Sequence, residues 1–478
     1  MATFLGSVFL LIAGYIIYSK AVEKIFGIND QNPTPAYQHS DGLDFVPISW
    51  WKGSLIQLLN IAGLGPIFGA VSGALYGPVA FIWIVIGCIF AGAVHDYFSG
   101  MMSLRHNGEQ FPALVGRYIG PAMKKFINLF SIVLMILVAA AFTAGPAQLI
   151  SSITPLSFMA ALVLVFAYFI LAAVLPVNKI IGKIYPILGA ILIFMAAAIG
   201  IALLFSNKQI PNLTLKNLHP AELPVWPLLM VTISCGAISG FHSTQSPIVA
   251  RTLKKESEGR KVFFGAMIGE GIIALIWAAA GMTFFGGTNG LQEALAAGGP
   301  AGAVNEISQS LLGTLGGILA ILGVIILPIT TGDTALRSSR MMLTEVLASV
   351  MDTNGKWKVL LITIAVGAPT FYLSTIDYSF LWRYVGWTNQ VVAAVMLWTG
   401  TMYLLKLGKF HWICGVPALF MTAVVSSYIF YAPEGFQLSY QTSMVIGSVI
   451  STVVIGWYIV QIYKHRNLQN NRTETNAA

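Results

Sequence analysis

Apolar segments of about 20 residues recur along the entire chain, and no other sequence feature restricts its fold as strongly. A helix of that length crosses the hydrocarbon core of a bilayer. Of the 478 residues, 56% are hydrophobic and 9% are charged, whereas soluble domains carry about 25% charged residues. This composition excludes a soluble enzyme, a nucleic-acid-binding domain and a disordered protein. Continuous apolar runs also exclude an outer-membrane barrel, whose strands alternate in polarity. The sequence predicts an all-α polytopic membrane protein.

Helix-breaking clusters divide the apolar sequence into thirteen predicted transmembrane helices. The blocks at 112–150 and 304–340 are too long for one upright span, so each is expected to include an amphipathic lead-in segment or a steep tilt. The predicted ranges are 3–22, 52–77, 79–103, 112–150, 157–175, 182–205, 226–250, 262–286, 304–340, 357–375, 381–405, 410–431 and 441–463.

The basic residues are distributed unevenly between the two sides of this topology. Twenty-three of the 26 Lys and Arg residues fall on one side, and the other side holds only Lys208, Lys216 and Arg383. Because Lys and Arg gather in cytoplasmic loops, we predict a multi-pass inner-membrane protein with its amino terminus outside and its carboxyl terminus in the cytoplasm. The net charge of +8 then reflects topology, and no nucleic-acid partner is expected. The first helix lacks a preceding basic residue and is followed by Lys20 and Lys24, which predicts a retained anchor rather than a cleaved signal peptide.

Ten of the predicted helices form two sets of five, over residues 52–205 and 226–405. Because five is an odd number, the second set must run inverted relative to the first, an arrangement found in secondary transporters. Residues 1–51 then form an anchor and a cytoplasmic loop, and residues 406–478 form two further helices and a short tail. Similar strings, TAGPAQL at 143–149 and TTGDTAL at 330–336, end the third and eighth core helices.

Each set is expected to interrupt its first helix. Core helix one contains IAGLGPIFG, and core helix six contains SCGAISGFHSTQSP, in which the polar run from His242 to Ser246 is expected to belong to the unwound stretch. Glycine permits unwound conformations and proline removes a backbone donor, and unwound backbone survives in a membrane only where it lines a cavity or a ligand site. The alternative is that the glycines let helices pack closely. The predicted substrate-binding residues are Asn60, Gly63, Gly65, Pro66, Gly240, His242, Ser243, Thr244 and Gln245.

Ionisable residues inside membrane spans are costly and are usually functional. His95 and Asp96 are candidates for a proton relay or for orienting the substrate. The alternative is that Asp96 pairs with an arginine at the cytoplasmic end of the helix while His95 satisfies a backbone carbonyl. Glu270 has only apolar and glycine neighbours in sequence, so it is a candidate proton carrier. Its alternative role is a fixed acceptor for an unwound segment.

Hydroxyl and carboxylate oxygens near the end of core helix eight suggest a cation site. Thr330, Thr331 and Asp333 could bind Na⁺, a hard cation that takes oxygen ligands, although Asp333 could instead pair with Arg337 four residues later. No metal site or other cofactor is predicted, because the three cysteines are isolated, and no Walker-type motif indicates direct ATP coupling. The expected coupling ion is H⁺ or Na⁺.

Several long strings resemble the carbon starvation protein A family. The resemblance runs in order from Asp41 to Arg340, and its strings are DGLDFVP, IAGLGPI, HDYFSGMMSLRHNG, FHSTQSPIVAR, ESEGRKVFFGAMIGEG and PITTGDTALRSSR. It implies a transporter of peptides induced on carbon starvation, with relatives that import pyruvate, and a five-plus-five inverted repeat like that of the leucine transporter. Helix-eight hydroxyls bind sodium in such folds, which points to Thr330 or Thr331. Leu55, Ile56 and Gln57 stand where many members have a Gly-His-His string.

We therefore expect a secondary active symporter that imports small peptides by alternating access around core helices one and six, in contact with membrane lipid. The first alternative is a symporter of pyruvate or another monocarboxylate. Two other classes are a passive channel or starvation sensor, and an intramembrane enzyme that uses His95, Asp96 and His242. The enzyme requires these three groups to lie within hydrogen-bond reach of one another. We expect the protein not to be an enzyme.

Overall fold

The computed structural model describes most of the chain. Its backbone is described over residues 1–42, 44–174, 177–206, 208–348, 352–353, 355–376 and 378–477. Within those ranges the side chains are described except at residues 152, 172–174, 177–186, 315–316, 319–320, 327, 356, 378–379 and 468–477. Residue 175, the predicted end of the fifth helix, lies outside the described parts. Four basic side chains that count toward the predicted charge asymmetry also lie outside them, namely those of Lys179, Lys183, Lys356 and Arg472.

Helices make up most of the described chain, and no strand occurs within it. Each of the thirteen ranges predicted from sequence contains helix. We number the helices α1 (Ala2–Phe26), α2 (Trp50–Ile61), α3 (Gly65–Tyr76), α4 (Val79–Arg105), α5 (Phe111–Tyr118), α6 (Pro121–Ile153), α7 (Phe158–Val174), α8 (Val177–Phe205), α9 (Val225–Thr232), α10 (Phe241–Ala250), α11 (Glu256–Phe284), α12 (Thr288–Leu347), α13 (Lys356–Ser374), α14 (Tyr378–Lys406), α15 (Trp412–Tyr431) and α16 (Tyr440–Ala477).

The length and composition of the helices identify a multi-pass membrane protein. Within the described residues, nine helices are long and apolar enough to cross a bilayer, and α2 with α3 adds a tenth if the bent pair is one span. Burial separates interior helices from peripheral ones. In the most apolar stretch of α4 and α11, 78% and 83% of residues are buried, against 28% in α1 and 17% in α16. Helices α4 and α11 therefore lie inside the bundle, and α1 and α16 lie at its periphery.

Glycines divide the two blocks that are too long for one span. The block at 112–150 is split by Gly120, whose φ of 142° ends α5 and starts α6, so a short lead-in helix precedes the long one as expected. Helix α12 begins before the predicted range, at Thr288, and is interrupted at Gly299 and Gly313. Both have φ near +65° (62° and 68°), a conformation that glycine adopts without steric cost.

Helix packing brings the predicted site residues together. Helix α10 lies against both α2 and α4, and α11 packs against α2 and α3. Helices α6 and α12 pack against each other and contact α7, α8, α13 or α14 on their outer sides. The two predicted breaks and the predicted ionisable residues of α4 and α11 therefore lie in the interior of the bundle.

Candidate functional site

The first predicted break is present between α2 and α3. Helix α2 ends at Ile61, Ala62 leaves the helical region with φ −80° and ψ 66°, and α3 starts at Gly65 at an angle of 59° to α2. Pro66 is the second residue of α3, where its missing N–H costs nothing because the first turn of a helix has no internal acceptor for it. Asn60 lies in the last turn of α2 and is fully buried.

The second break separates α9 from α10. Ile233 ends α9 with φ −97° and ψ 73°, close to the values of Ala62, and the chain is non-helical from Ser234 to Gly240. The prediction that the polar run from His242 to Ser246 is unwound was wrong, because these residues form the first turns of α10. The helix continues through Pro247, and the Ser99 hydroxyl donates to the Ser243 carbonyl that the proline leaves without its helical donor, at 3.4 Å.

The two breaks pack directly against each other. A Cβ added at Gly65 would lie 2.3 Å from Cβ and Sγ of Cys235, and one added at Gly73 would lie 2.2 Å from Cγ1 of Ile233. A Cβ at Gly63 would meet the ring of Phe142 at 2.6 Å. Close helix packing, the alternative considered from sequence, therefore accounts for these glycines. A bulky residue at position 65 would block this packing whether or not ligand binds there.

Side chains of α14 satisfy backbone groups that the second break leaves free. The Phe241 N–H donates to Asn389 Oδ1 at 2.5 Å, and Gln390 Nε2 donates to the Ile238 carbonyl at 3.1 Å. Gly240 packs on the same helix, where an added Cβ would lie 2.2 Å from the Asn389 carbonyl oxygen. Sequence reasoning missed both amides, although a Thr-Asn-Gln run inside the predicted helix 381–405 was a signal for them.

Two further backbone carbonyls beside the breaks have side-chain donors. The Trp83 indole N–H donates to the Ile233 carbonyl at 2.9 Å, and the Thr331 hydroxyl donates to the Leu59 carbonyl at 3.0 Å. All residues of the first break are buried. In this conformation, protein side chains bind the backbone at both breaks, where the sequence predicted that substrate would bind.

A continuous chain of acidic and basic side chains crosses the centre of the bundle. His95 Nδ1 lies 2.8 Å from Asp96 Oδ1, and His242 Nδ1 lies 2.9 Å from Asp96 Oδ2. On its other edge, His242 Nε2 lies 3.4 Å from Glu270 Oε2. All four side chains are 0% exposed. We call these four residues the acid–base chain.

The acid–base chain joins three separate helices. Helix α4 supplies His95 and Asp96, α10 supplies His242 and α11 supplies Glu270. Asp96 thus pairs with two imidazoles instead of an arginine, and His242, which the sequence suggested as a ligand contact, lies between two carboxylates. Such groups can accept a proton at one end and release it at the other. His95 and His242 each lie within hydrogen-bond distance of Asp96, so distance does not exclude the intramembrane enzyme considered from sequence.

Unpaired amide atoms lie on α2 and α10. The Gln57 amide donates to the Ser246 hydroxyl at 3.2 Å, and the Gln245 amide donates to the hydroxyls of Thr244 and Ser338 at 2.9 and 3.3 Å. The side-chain oxygens of both glutamines, and both amide atoms of Asn60, have no hydrogen-bond partner in the described part of the chain. Because a buried polar atom without a partner costs roughly 1–3 kcal/mol, these atoms are candidates for ligand contact.

The remaining predicted residues make local contacts. The hydroxyls of Ser243 and Thr244 donate to carbonyls three residues earlier, those of Gly240 and Phe241, both at 2.7 Å. The Thr330 carbonyl accepts from the Thr334 hydroxyl at 3.3 Å. On the same helix, Asp333 Oδ2 accepts from the Tyr168 hydroxyl at 3.0 Å. The described side chains contain no group of three or more His, Cys, Asp or Glu residues arranged to hold a metal ion.

Comparison with known proteins assigns this architecture to a family. The protein-family model described as "Carbon starvation protein CstA" matches residues 1–160, 146–288 and 278–427. An uncharacterized membrane protein of Haemophilus influenzae is 46% identical over 356 residues, which cover 62% of this chain and 95% of that protein.

Two characterised relatives are more distant. "Peptide transporter CstA" of Bacillus subtilis is 27% identical over 58% of this chain and 57% of its own length, and "Pyruvate/proton symporter BtsT" of Escherichia coli is 25% identical over 57% and 47%. The chain spans about half the length of these named relatives. Among solved structures, it is similar to a manganese transporter of Eremococcus coleocola, with 14% identity, a TM-score of 0.49, and coverage of 89% of this chain and 99% of that one.

Proposed function

This chain belongs to the carbon starvation protein CstA family, and from that premise we propose that it is a proton-coupled symporter that imports small peptides through the inner membrane. Relatives named as transporters, together with the apolar helices, support a multi-pass membrane transporter rather than an enzyme. The substrate, the coupling ion and the mechanism below are parts of the proposal.

The acid–base chain is the observation that carries the proposal. Two carboxylates and two imidazoles, all fully buried, form a series across three helices of the interior. An isolated charge is costly in such a site, so the number of bound protons and the packing of α4, α10 and α11 must depend on each other. In the described part of the chain, Asp96, Cys88 and Cys235 also lie within electrostatic range of Glu270. Glu270 is the proposed site of proton exchange, because its oxygens have no partner among the described residues beyond the imidazole at 3.4 Å.

Protons are the proposed coupling ion because the acid–base chain can hold a proton without rearrangement. Sodium at Thr331 and Asp333 is the alternative. The Thr331 hydroxyl donates to the Leu59 carbonyl and Asp333 accepts from the Tyr168 hydroxyl, and both side chains keep oxygen lone pairs that can bind a cation.

The proposed topology has thirteen spans, with two inverted repeats over 52–205 and 226–405. The helix contacts support it, because they recur when each helix of the first set is exchanged for its counterpart in the second. Helix α6 packs against α7, α13 and α14, and its counterpart α12 packs against α13, α7 and α8. Likewise α4 contacts α10, and α11 contacts α2. The amino terminus lies outside, and residues 1–51 and 406–478 flank the repeats.

Unpaired acceptors favour a substrate that carries N–H groups. The hydroxyls of Thr244 and Ser338, which lie beside the Gln245 amide, already donate to the carbonyls of Phe241 and Thr244. They can therefore only accept from Gln245, so its Nε2 points toward them and its Oε1 remains an acceptor without a partner among the described residues. Asn60 offers one donor and one acceptor, which together match a peptide group, and Glu270 matches an ammonium group. Pyruvate has acceptors alone and would leave these oxygens unpaired. Small peptides are therefore the proposed substrates, and pyruvate is the alternative.

Transport would follow from alternating access around the two breaks, with α2, α3, α9 and α10 moving relative to the remaining helices. Partners from α14, α4 and α12 hold the breaks closed in the described conformation. Substrate binding would exchange some of these hydrogen bonds for its own, which limits the energetic cost of opening.

Uptake into proteoliposomes tests the proposal. The purified full chain is reconstituted, a proton gradient is imposed, and labelled dialanine and pyruvate are compared with and without a protonophore. Wild type should accumulate dialanine above equilibrium, and the protonophore should abolish accumulation. Glu270→Gln should reduce net accumulation to the protonophore level and preserve exchange of dialanine, since exchange needs no net proton release. Glu293→Gln, at an exposed carboxylate of α12, is the matched control and should behave as wild type.

Each other outcome removes a part of the proposal. Accumulation of pyruvate but not dialanine would replace the substrate, and accumulation that follows a sodium gradient would replace the coupling ion. Downhill flux alone would indicate a channel, and no flux would favour a sensor. Normal proton-driven accumulation by Glu270→Gln would remove the acid–base chain from coupling.

A further inference from the structure

A second group of charged residues lies beyond the acid–base chain, at the predicted cytoplasmic ends of α10 and α12. Arg251 follows α10 directly, nine residues after His242, and Arg340 follows Thr331 by nine residues on α12. Nine residues of helix span about 13 Å. The two helices are joined at an intermediate level, where Gln245 contacts Ser338. The two arginines therefore lie on one side of the proposed substrate site.

Arg251 is held in a fixed position. Its side chain is buried, with 9% exposed, and Nε donates to the Gly108 carbonyl at 3.0 Å. The ring of Phe45 covers the guanidinium, 5.1 Å from its centre. Gly108, with a φ of +76°, leaves room for the arginine, since an added Cβ would lie 2.6 Å from Arg251 Cγ. The other guanidinium nitrogens make no hydrogen bond among the described residues.

Arg340 has a buried donor and no partner for it. Its Nε is inaccessible, and the side chain makes no hydrogen bond or ion pair with any described residue. Arg337 lies one turn earlier on α12, 5% exposed, and its charge repels that of Arg340. A buried guanidinium without a partner raises the free energy of its site, and an anion that approached Arg340 would lower it.

Acidic residues lie near these arginines without contacting them. Asp44 lies within electrostatic range of both Arg251 and Arg340. Asp41 and Glu345 lie within electrostatic range of Arg251, and Glu345 also lies within range of Lys124 and Glu109. Among the described residues, neither Arg251 nor Arg340 has a carboxylate oxygen within 4.0 Å.

We propose that Arg251 and Arg340 form an anion site for the carboxylate of the transported molecule, on its route between the acid–base chain and the cytoplasm. This inference rests on the proposed transport function and adds to it a second substrate contact. Guanidinium groups suit a carboxylate because their planar donors can bind both of its oxygens. In the described conformation Asp44 balances the arginines from a distance, and Phe45 covers Arg251. A bound substrate carboxylate would displace Asp44 and Phe45 toward the cytoplasm.

The test compares a dipeptide with its amide. Half-saturating concentrations of dialanine and of dialanine amide are measured from each side of the membrane in proteoliposomes. Wild type should prefer the free carboxylate from the cytoplasmic side. Arg340→Gln should raise the half-saturating concentration of dialanine there by roughly tenfold, as expected for one lost charge-assisted hydrogen bond, and leave that of the amide unchanged. Asp44→Asn should lower the dialanine value. Arg466→Gln, at an exposed arginine of α16, is the control for net charge.

A structural role for Arg340 would predict equal changes for dialanine and its amide, and that result would overturn the inference. If wild type transports nothing, the proposed function fails and the anion site is tested alone, by thermal unfolding of the detergent-purified chain. Acetate should then raise the melting temperature more than acetamide at equal ionic strength, in wild type and not in Arg340→Gln. Stabilisation by phosphatidylglycerol but not by acetate would assign the arginines to lipid and overturn the inference.

Discussion

Replacing Asn389 with alanine tests whether α14 holds the second helix break. Asn389 Oδ1 accepts the N–H of Phe241 at 2.5 Å, and its Nδ2 donates to the Ser239 hydroxyl at 2.9 Å. The side chain is 1% exposed, so water cannot replace it. In Asn389→Ala the N–H of Phe241 stays buried without an acceptor, because the first residue of a helix has no earlier turn to bind.

The size of the effect separates two explanations. An ordinary side-chain hydrogen bond between membrane helices contributes about 0.6 kcal/mol on average. A buried backbone donor that loses its only acceptor costs about 1–3 kcal/mol. We therefore expect Asn389→Ala to lower the free energy of unfolding by about 2–3 kcal/mol, once the lost contact with Ser239 is included.

Unfolding in mixed detergent and sodium dodecyl sulfate micelles, followed by tryptophan fluorescence, measures this difference. Ser426→Ala is the control, since it removes the hydroxyl that donates from α15 to the Gly447 carbonyl of α16 at 3.4 Å and therefore leaves no buried donor without an acceptor. The control should cost about 0.6 kcal/mol. Equal losses in the two variants would refute the idea that Asn389 holds the break.

Two further predictions concern charged residues near the ends of α1, α4 and α11. Arg105 binds the fully buried Glu256 carboxylate with two donors, at 3.0 and 2.7 Å, so Arg105→Met should lower the free energy of unfolding by about 3–5 kcal/mol. The control Arg117→Met, which breaks the exposed pair with Glu109, should lower it by less than about 1 kcal/mol. Similar losses in the two variants would contradict this prediction. Burial acts to raise the pKa of Asp30, but hydrogen bonds from the Ser257 hydroxyl and N–H outweigh it and lower that pKa below its usual value. The charged form is thus stabilised by folding, so the melting temperature of Asp30→Asn should lie below wild type at pH 7, and the difference should vanish as pH falls through the lowered pKa; a difference that persists in acid would refute the assignment.

The positions of the helices and of their interruptions were predictable because both depend on local sequence. Apolar length fixes where a chain can span a bilayer, and glycine or proline in mid-span marks where the helix can stop. The first break was expected at residues 61–69 and lies at Ala62–Leu64. The extent of the second break was wrong, because the polar residues His242–Ser246 were expected to be unwound and are helical. Pro247 removes the helical hydrogen bond to the Ser243 carbonyl, and the Ser99 hydroxyl replaces it.

The partners of the site residues could not be predicted in the same way. His242 was assigned to ligand, and it lies between Asp96 and Glu270, each on another helix. Asn389 and Gln390 were not considered, although they bind the backbone of a break about 150 residues earlier. Such pairs depend on the rotation of each helix about its axis, and the sequence of a largely apolar helix carries little information about that rotation.

The helical membrane class and the approximate places of the two breaks follow from sequence, because bilayer thickness and backbone chemistry act within one segment. Tertiary packing was needed to show that the two breaks contact each other, that α14 binds the backbone of the second, and that His95, Asp96, His242 and Glu270 form one buried chain. In a soluble protein an apolar stripe identifies the packed face of a helix, whereas here lipid and neighbouring helices are equally apolar. The contacts that pair the polar groups, together with close approach at glycine, therefore set the arrangement.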